Sequence, residues 1–149
     1  AFSFSVLRNV EMALDGEAGR EAAAREALRR VGMDTLSQAS GSKLSGGEAQ
    51  RMAFARMIAK PRRLLLLDEP TSSTDIKGTD LIEATLLSYL QVNACTLIFS
   101  THSPAQALRL AEEVIFLDQG CIVEQGPAKS ILEVPQNERT QLFLAHWRI

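Results

Sequence analysis

The length, composition and charge of this chain exclude several classes of protein. Its 149 residues suffice for one hydrophobic core, and 46% apolar and 23% charged residues are ordinary proportions for a globular domain. A formal net charge of −2 gives no broad attraction to nucleic acid or to an anionic membrane surface. No apolar run approaches the roughly 18–20 residues that a bilayer-spanning helix needs. We therefore expect neither a nucleic-acid-binding protein nor a membrane-spanning one.

Helices are predicted along the first part of the chain. Apolar residues recur at helix-like spacing over residues 6–14, and residues 18–31 show the pattern of an amphipathic helix. Gly32 stands where a helix-ending glycine is expected. Residues 34–43 are polar and rich in turn-forming residues, so they predict a connection to the next element.

A Ser/Gly-rich turn opens the third predicted helix. The turn is Leu-Ser-Gly-Gly-Glu at residues 44–48, and the helix covers about 46–60. Ser45 is a good N-cap, and Glu48 three residues later completes the pattern of a capping box.

The same turn has the features of a phosphate-binding site. A helix N-terminus presents unpaired N–H groups and about half a positive charge. Gly46 and Gly47 leave those groups open to a phosphate, and the Ser45 hydroxyl offers a further donor. The Glu48 carboxylate suits the helix dipole but repels a phosphate, so we interpret it as a cap or rim residue. The alternative interpretation is a capping serine beside an ordinary pair of loop glycines.

Strands and helices alternate after residue 60. In order, the pattern predicts a strand over 64–68, a helix over 78–91, a strand over 95–100, a helix after the N-cap Ser103, and a hairpin with strands 113–118 and 121–125. The first two strands are continuous apolar runs, which are typical of a parallel sheet covered on both faces. One or two short helices are expected at the C-terminal end. Early helices followed by alternating strands and helices indicate an α/β fold.

Polar side chains follow both apolar strands, where ligands bind in open α/β sheets. Asp68 and Glu69 end the first strand, and His102 follows the second. One carboxylate at this position can hold Mg²⁺ and another can polarise an attacking water, while the imidazole can bond a γ-phosphate. The alternative is a solvated acidic pair in a loop and an exposed or structural histidine.

Four motifs occur in a fixed order along the chain. They are Leu-Ser-Gly-Gly-Glu at 44–48, Leu-Leu-Leu-Leu-Asp-Glu-Pro-Thr at 64–71, Ser-Ser-Thr-Asp at 72–75 and Ser-Thr-His at 100–102. In order and spacing they resemble the motifs of the ATP-binding-cassette (ABC) ATPase family. The resemblance extends over essentially the whole chain, because the segment after residue 4 and the hairpin over 114–126 also look like their counterparts in that family.

The resemblance implies a role for the glycine turn. Residues 44–48 would be the signature motif, which closes over ATP bound to the partner subunit of a head-to-tail dimer. Ser45, Gly46 and Gly47 would then contact the nucleotide, with Glu48 beside them as a cap or rim residue.

The resemblance also implies roles for the later motifs. Asp68 would act through Mg²⁺, Glu69 would be the general base, and His102 would be the switch histidine. Residues 72–75 would be the D-loop, in which Asp75 joins the dimer interface. Here the loop reads Ser-Ser-Thr-Asp where Ser-Ala-Leu-Asp is commoner in the family, so a polar residue stands where an apolar one often packs.

The implied fold is α/β, a partial P-loop NTPase of ABC type. Residues 1–60 would form the helical signature subdomain, and residues 61–149 would form the C-terminal part of the parallel-sheet core. The pattern G-x-x-x-x-G-K-[ST], which is the Walker A loop, is absent. We expect this loop and the Q-loop glutamine to lie before residue 1, so that the chain is a truncated member of the family.

The resemblance implies an ATP- and Mg²⁺-dependent subunit that energises a membrane transporter. It would be cytoplasmic and peripheral on the inner face of the membrane, in a homo- or heterodimer with another ABC ATPase subunit and bound to integral membrane subunits. Without the Walker A loop, the isolated chain is predicted not to bind or hydrolyse ATP on its own. The transported substrate and the direction of transport stay open.

Two alternatives belong to other functional classes. The first is a non-catalytic binding or regulatory module derived from an ABC ATPase, which would use the signature face alone. The second is a DNA-maintenance ATPase of the SMC type, which shares the Ser-Gly-Gly-Glu turn. The Pro70-Thr71 pair after Glu69 and the net charge of −2 argue against the DNA-maintenance alternative.

Overall fold

A computed structural model describes residues 3–147, which divide into two compact units, one ending at Ser100 and the other beginning at Thr101. The α-helices and strands are, in chain order, α1 (Val6–Glu11), α2 (Arg20–Arg30), α3 (Gly46–Ile58), β1 (Leu64–Asp68), α4 (Ile76–Val92), β2 (Thr96–Ser100), α5 (Pro104–Leu110), β3 (Glu113–Asp118), β4 (Cys121–Pro127), α6 (Ala128–Glu133) and α7 (Glu138–Ala145). Short 3₁₀ turns connect α1 to α2 and α2 to α3. This order confirms the predicted α/β class. The predicted division into residues 1–60 and 61–149 is based on the sequence motifs and stays a prediction.

The first three helices pack against one another and form much of the core of the first unit. Its fully buried side chains include Val6, Val10, Leu28 and Met33. Helix α2 ends as predicted at Gly32, whose φ is 66°. The two hydrogen bonds of a Schellman motif close this end, because the amides of Gly32 and Met33 donate to carbonyl oxygens of the last helical turn at 3.0 and 2.8 Å.

Strands β1 and β2 pair in parallel in the first unit, with Leu64 opposite Thr96 and Asp68 opposite Ser100. The predicted strands are therefore present, but the prediction that they are covered on both faces is wrong. Leu65 is 2% exposed, whereas its neighbour Leu66 is 68% exposed. Successive side chains of a strand point to opposite faces, and among the described residues one face of β1 is packed while the other is open.

A tyrosine joins helix α4 to the segment between α3 and β1. The buried Tyr89 hydroxyl donates to the Lys60 carbonyl oxygen at 3.0 Å and accepts from the Arg62 amide at 2.7 Å. Burial raises the pKa of the Tyr89 hydroxyl. Helix α3 ends at Ile58, two residues before the predicted end.

The second unit holds the predicted hairpin. Strands β3 and β4 are antiparallel, with a register irregularity between Phe116 and Leu117. Helix α5 begins as predicted, because the Ser103 hydroxyl accepts from the Gln106 amide at 3.3 Å and Pro104 occupies the first turn. Helices α6 and α7 both contact β4. No helix among residues 3–147 has the length and apolar character needed to cross a membrane.

Candidate functional site

The Leu-Ser-Gly-Gly-Glu turn forms the capped start of helix α3. The Ser45 hydroxyl accepts from the Glu48 amide at 3.3 Å, and the Glu48 carboxylate accepts from the Ser45 amide at 2.8 Å. These reciprocal bonds make a capping box, so the prediction that Glu48 caps the helix is confirmed. The bonds from the Ser45 amide and hydroxyl hold the pKa of Glu48 below its usual value.

The proton of the Ser45 hydroxyl is already used inside the turn. It donates its single proton to the Glu48 carboxylate at 2.8 Å while it accepts from the Glu48 amide. A hydroxyl has one proton to donate, so a phosphate that used it would first have to displace Glu48. The unpaired amides of the first helical turn are donors that require no such exchange.

Packing requires a glycine at only one of the two glycine positions of the turn. A Cβ at Gly47 would lie 2.8 Å from the Ser73 carbonyl oxygen, so this glycine lets α3 rest directly on the loop after β1. A Cβ at Gly46 would meet Ser73 Cβ at 3.7 Å, which is an ordinary contact. The packing around Gly46 therefore leaves room for a Cβ, whereas the packing around Gly47 does not.

Gln50 joins the same helix to the same loop by hydrogen bonds. Its Nε2 donates to the Glu69 carbonyl oxygen at 2.8 Å, and its Oε1 accepts from the Ser73 amide at 3.0 Å. The loop itself ends in a helix cap, because the Asp75 carboxylate accepts from the Gly78 amide at 2.9 Å and starts α4. The Ser-Ser-Thr-Asp segment is thus held from both sides.

Asp68 and Glu69 lie at the carboxyl end of β1, beside Ser100 at the end of β2. The Ser100 hydroxyl donates to the Asp68 carboxylate and accepts from the Glu69 amide at 3.1 Å. Glu69 has a φ of 46°, in the left-handed region that residues with a Cβ rarely adopt. Left-handed backbone at such a residue is a form of strain that is often found at functional sites.

The donor set at this strand end fits a hard divalent cation. Asp68 is exposed and one of its oxygens is held by Ser100, which leaves the second carboxylate oxygen available. Mg²⁺ in nucleotide sites commonly takes one or two carboxylates, with waters and phosphates as its other ligands. Within residues 3–147, no group of three or more His, Cys, Asp or Glu side chains is arranged to hold a metal by itself. Asp68 would therefore hold Mg²⁺ as one ligand among several.

His102 belongs to the second unit, where it is exposed. Its ring centroid lies 5.9 Å from that of Trp147, and Trp147 lies 6.3 Å from Phe143. Phe143 in turn contacts Phe116 of β3 at 5.1 Å. The imidazole therefore stands at the end of a row of aromatic rings that connects it to the hairpin.

The structure brings most of the predicted site residues together within the first unit. The turn at 44–48, the strand end at 68–69 and the loop at 72–75 are in direct contact through Gly47 and Gln50. His102 is described in the other unit. The sequence analysis did not identify Gln50, although it stands one helical turn after Gly46 on the same face of α3.

The contacts of two further residues were missed for a similar reason. Ser100 lies opposite Asp68, which requires the register of the parallel pair to be known. Trp147 reaches His102 through the fold of the second unit, and only the Ser-Thr-His motif marks one side of that contact.

Comparisons with known proteins find relatives of this chain. The family described as ABC transporter matches residues 3–72. The phosphate import ATP-binding protein PstB of Aeropyrum pernix is 41% identical over 102 residues, which are 68% of this chain and 40% of that protein. The L-cystine transport system ATP-binding protein TcyN of Escherichia coli is 37% identical over 145 residues, covering 94% of this chain and 58% of that protein.

A solved structure shows the same fold. An ATP-binding cassette in a dimeric post-hydrolysis state, bound to ADP and Pi, aligns with a TM-score of 0.76 and 26% identity over 84% of this chain and 57% of its own. The chain spans about half the length of the curated relatives it matches, from 40% to 58% in the two described above. The ordered motifs and these similarities identify the chain as a relative of the ABC transporter family and of the ATP-binding proteins named above.

Proposed function

We propose that this chain is part of an ATP-binding and ATP-hydrolysing subunit that energises a membrane importer. The observation that carries the proposal is the direct contact of Gly47 and Gln50 with the loop that follows Asp68 and Glu69. In our proposal these contacts join the signature turn to the strand end that carries the magnesium carboxylate and the general base. The name of the Aeropyrum pernix relative, a phosphate import protein, favours import.

The residues divide the chemistry of ATP between them. The family uses ATP and Mg²⁺, and Mg²⁺ supplies charge neutralisation at the phosphates when bound. In our proposal the first-turn amides at Gly46 and Gly47 would receive the γ-phosphate of an ATP that is held by a second subunit. Asp68, Glu69 and His102 belong to the other ATP site of the dimer. There Asp68 would hold the cation, Glu69 would accept the proton of the attacking water, and His102 would bond the γ-phosphate.

The signature turn acts on ATP held by a second subunit. The 149 residues contain no G-x-x-x-x-G-K-[ST] loop, so we propose that this chain alone neither holds nor hydrolyses ATP. A head-to-tail dimer with another ABC ATPase subunit would supply the phosphate-binding loop that faces this turn. The dimeric state of the solved relative supports such a pairing. Asp75, which is exposed, would lie at this dimer interface.

The remaining partners follow from the same family assignment. Residues 1–60 would form the helical signature subdomain, and residues 61–149 would contribute the C-terminal part of the ATPase core. The subunit would bind integral membrane subunits at the inner face of the membrane. The names of both relatives, a phosphate import protein and an L-cystine transport protein, support a transport role.

Complementation tests this function directly. The intact Aeropyrum pernix relative is given a disabled signature motif, so that it keeps its phosphate-binding loop but lacks a working trans contact. Adding this chain should restore magnesium-dependent phosphate release. Chain carrying Gly46→Glu should restore none, because the new carboxylate repels the γ-phosphate while its Cβ meets only an ordinary contact.

Gln91→Ala is the matched control, because Gln91 is exposed on α4 and should leave complementation unchanged. The proposal would be contradicted if Gly46→Glu restored phosphate release, or if the unmodified chain restored none. Either result would favour a non-catalytic binding module. Phosphate release by the chain alone, abolished by Glu69→Gln, would contradict the proposed need for a partner.

A further inference from the structure

The side-chain amide of Gln50 connects two functional elements that are distant in sequence. Its nitrogen donates to the Glu69 carbonyl oxygen at 2.8 Å and its oxygen accepts from the Ser73 amide at 3.0 Å. These partners lie 19 and 23 residues further along the chain. Gln50 itself lies on α3 one turn beyond Gly46. One side chain thus uses a donor and an acceptor on the same loop.

The backbone that Gln50 contacts is strained. Glu69 has a φ of 46°, and a left-handed conformation costs a residue with a Cβ roughly 1–2 kcal/mol. Several bonds stabilise it. The Glu69 carbonyl oxygen accepts from the Ser72 amide and hydroxyl at 3.2 and 3.1 Å, and the Glu69 amide donates to the Ser100 hydroxyl at 3.1 Å.

These supports come from different parts of the first unit. Ser72 belongs to the same loop as Glu69, and Ser100 belongs to the neighbouring strand. Gln50 is the support that comes from the signature helix. Because Gly47 rests against the Ser73 carbonyl oxygen, a shift of the start of α3 acts on the loop both by contact and through the Gln50 bonds.

We infer that Gln50 is a positioning residue that couples the signature turn to the general base. It holds the backbone of Glu69 in its left-handed conformation, and it transmits a displacement of α3 to that backbone. Engagement of a γ-phosphate at the signature turn therefore changes how Glu69 is aimed. This inference rests on the proposed function, because it takes Glu69 as the base and residues 44–48 as the signature motif.

The first experiment tests the two hydrogen bonds in the whole 149-residue chain at pH 7. Amide exchange reports the Ser73 bond, and the ¹³C shift of the Glu69 carbonyl reports the other. Gln50→Met keeps the length of the side chain and loses both bonds, so Ser73 exchange should rise about fivefold to tenfold and the Glu69 carbonyl signal should shift.

Gln50→Glu separates the two bonds. The introduced carboxylate can still accept from the Ser73 amide but has no hydrogen to donate to Glu69. We expect Ser73 exchange to stay near that of the unmodified chain while the Glu69 carbonyl signal shifts. Unchanged signals in both variants, or equal changes at Ser73 in both, would overturn the assigned bonding.

The second experiment tests coupling. The labelled chain is mixed with the Aeropyrum pernix relative that lacks a working signature motif, in the presence of Mg²⁺ and a non-hydrolysable ATP analogue. Signals of Gly46 and of the Glu69 carbonyl should both shift. In Gln50→Met, the Gly46 shift should persist and the Glu69 shift should disappear.

The two proposals fail in distinguishable ways. If Gly46 responds and Glu69 does not, or if Glu69 responds equally in Gln50→Met, the coupling role is refuted and the proposed function stands. If Gly46 does not respond in the unmodified chain, the proposed function fails and the coupling role fails with it.

Discussion

A methyl group at Gly47 tests the contact between α3 and the loop after β1. The added Cβ would lie 2.8 Å from the Ser73 carbonyl oxygen and 3.6 Å from Thr74 Cα. Even a weakly attractive carbon–oxygen contact is about 3.3–3.6 Å long, so the helix or the loop must move. Both partners are backbone atoms, which cannot move aside as the end of a flexible side chain can. Gly46→Ala adds the same methyl one residue earlier, at an ordinary contact distance of 3.7 Å.

The magnitude of the effect follows from two opposed terms. Alanine in place of glycine stabilises a helix interior by roughly 0.5–1 kcal/mol, and less in its first turn. Overpacking against fixed atoms costs about 1–3 kcal/mol. We therefore expect Gly47→Ala to lower the free energy of unfolding by about 1–2 kcal/mol, which corresponds to a Tm lower by about 2–8 °C for a chain of this length. Gly46→Ala should stay within about 0.5 kcal/mol of the unmodified chain.

Thermal unfolding followed by circular dichroism measures both variants under the same conditions. Amide exchange of Ser73 should increase in Gly47→Ala, because the displaced loop loses the geometry of its bond to Gln50. The reasoning is refuted if Gly47→Ala has the same Tm as the unmodified chain. It is also refuted if the two alanine variants are destabilised equally, since the structure assigns the close contact to one position.

Three further predictions concern stabilising bonds. Tyr89→Phe should lower the free energy of unfolding, measured in urea, by about 1–2 kcal/mol, because it leaves the Arg62 amide and the Lys60 carbonyl oxygen without their partner. The bonds from Ser45 lower the pKa of Glu48 in the folded chain below the value of 4.5 that it has without them. These bonds therefore stabilise the fold fully above pH 4.5, and their effect is lost as the pH falls through the lowered pKa. The stability difference between the unmodified chain and Glu48→Gln should therefore narrow between urea titrations at pH 7 and pH 3. Asp75→Ala should lower the free energy of unfolding, measured by thermal unfolding, by about 0.5–2 kcal/mol. Asp75→Asn should lower it hardly at all, because asparagine caps a helix as well as aspartate. Equal losses in the two variants would argue against a capping role.

Features that depend on neighbours a few residues apart could be predicted from the sequence. Ser45 and Glu48 are three residues apart and form the expected capping box. Gly32 ends α2 as expected. The hairpin of the second unit lies at the predicted strands, 113–118 and 121–125. Such features depend on local backbone geometry, so the residue types and their spacing suffice to predict them. The ordered motifs identified the family in the same way.

The tertiary structure decided the features that join distant segments. It showed that Gly47 is required by the Ser73 carbonyl oxygen, that Gln50 reaches Glu69 across 19 residues, and that Ser100 reaches Asp68 across 32. It also left one face of β1 open where the apolar run had predicted cover on both faces. Contacts of this kind depend on register and packing, which are set by the whole fold and leave no periodic pattern in the sequence. The sequence by itself determined the family, the order of its motifs and their local caps, whereas the folded chain decided which residues bind the motifs to one another.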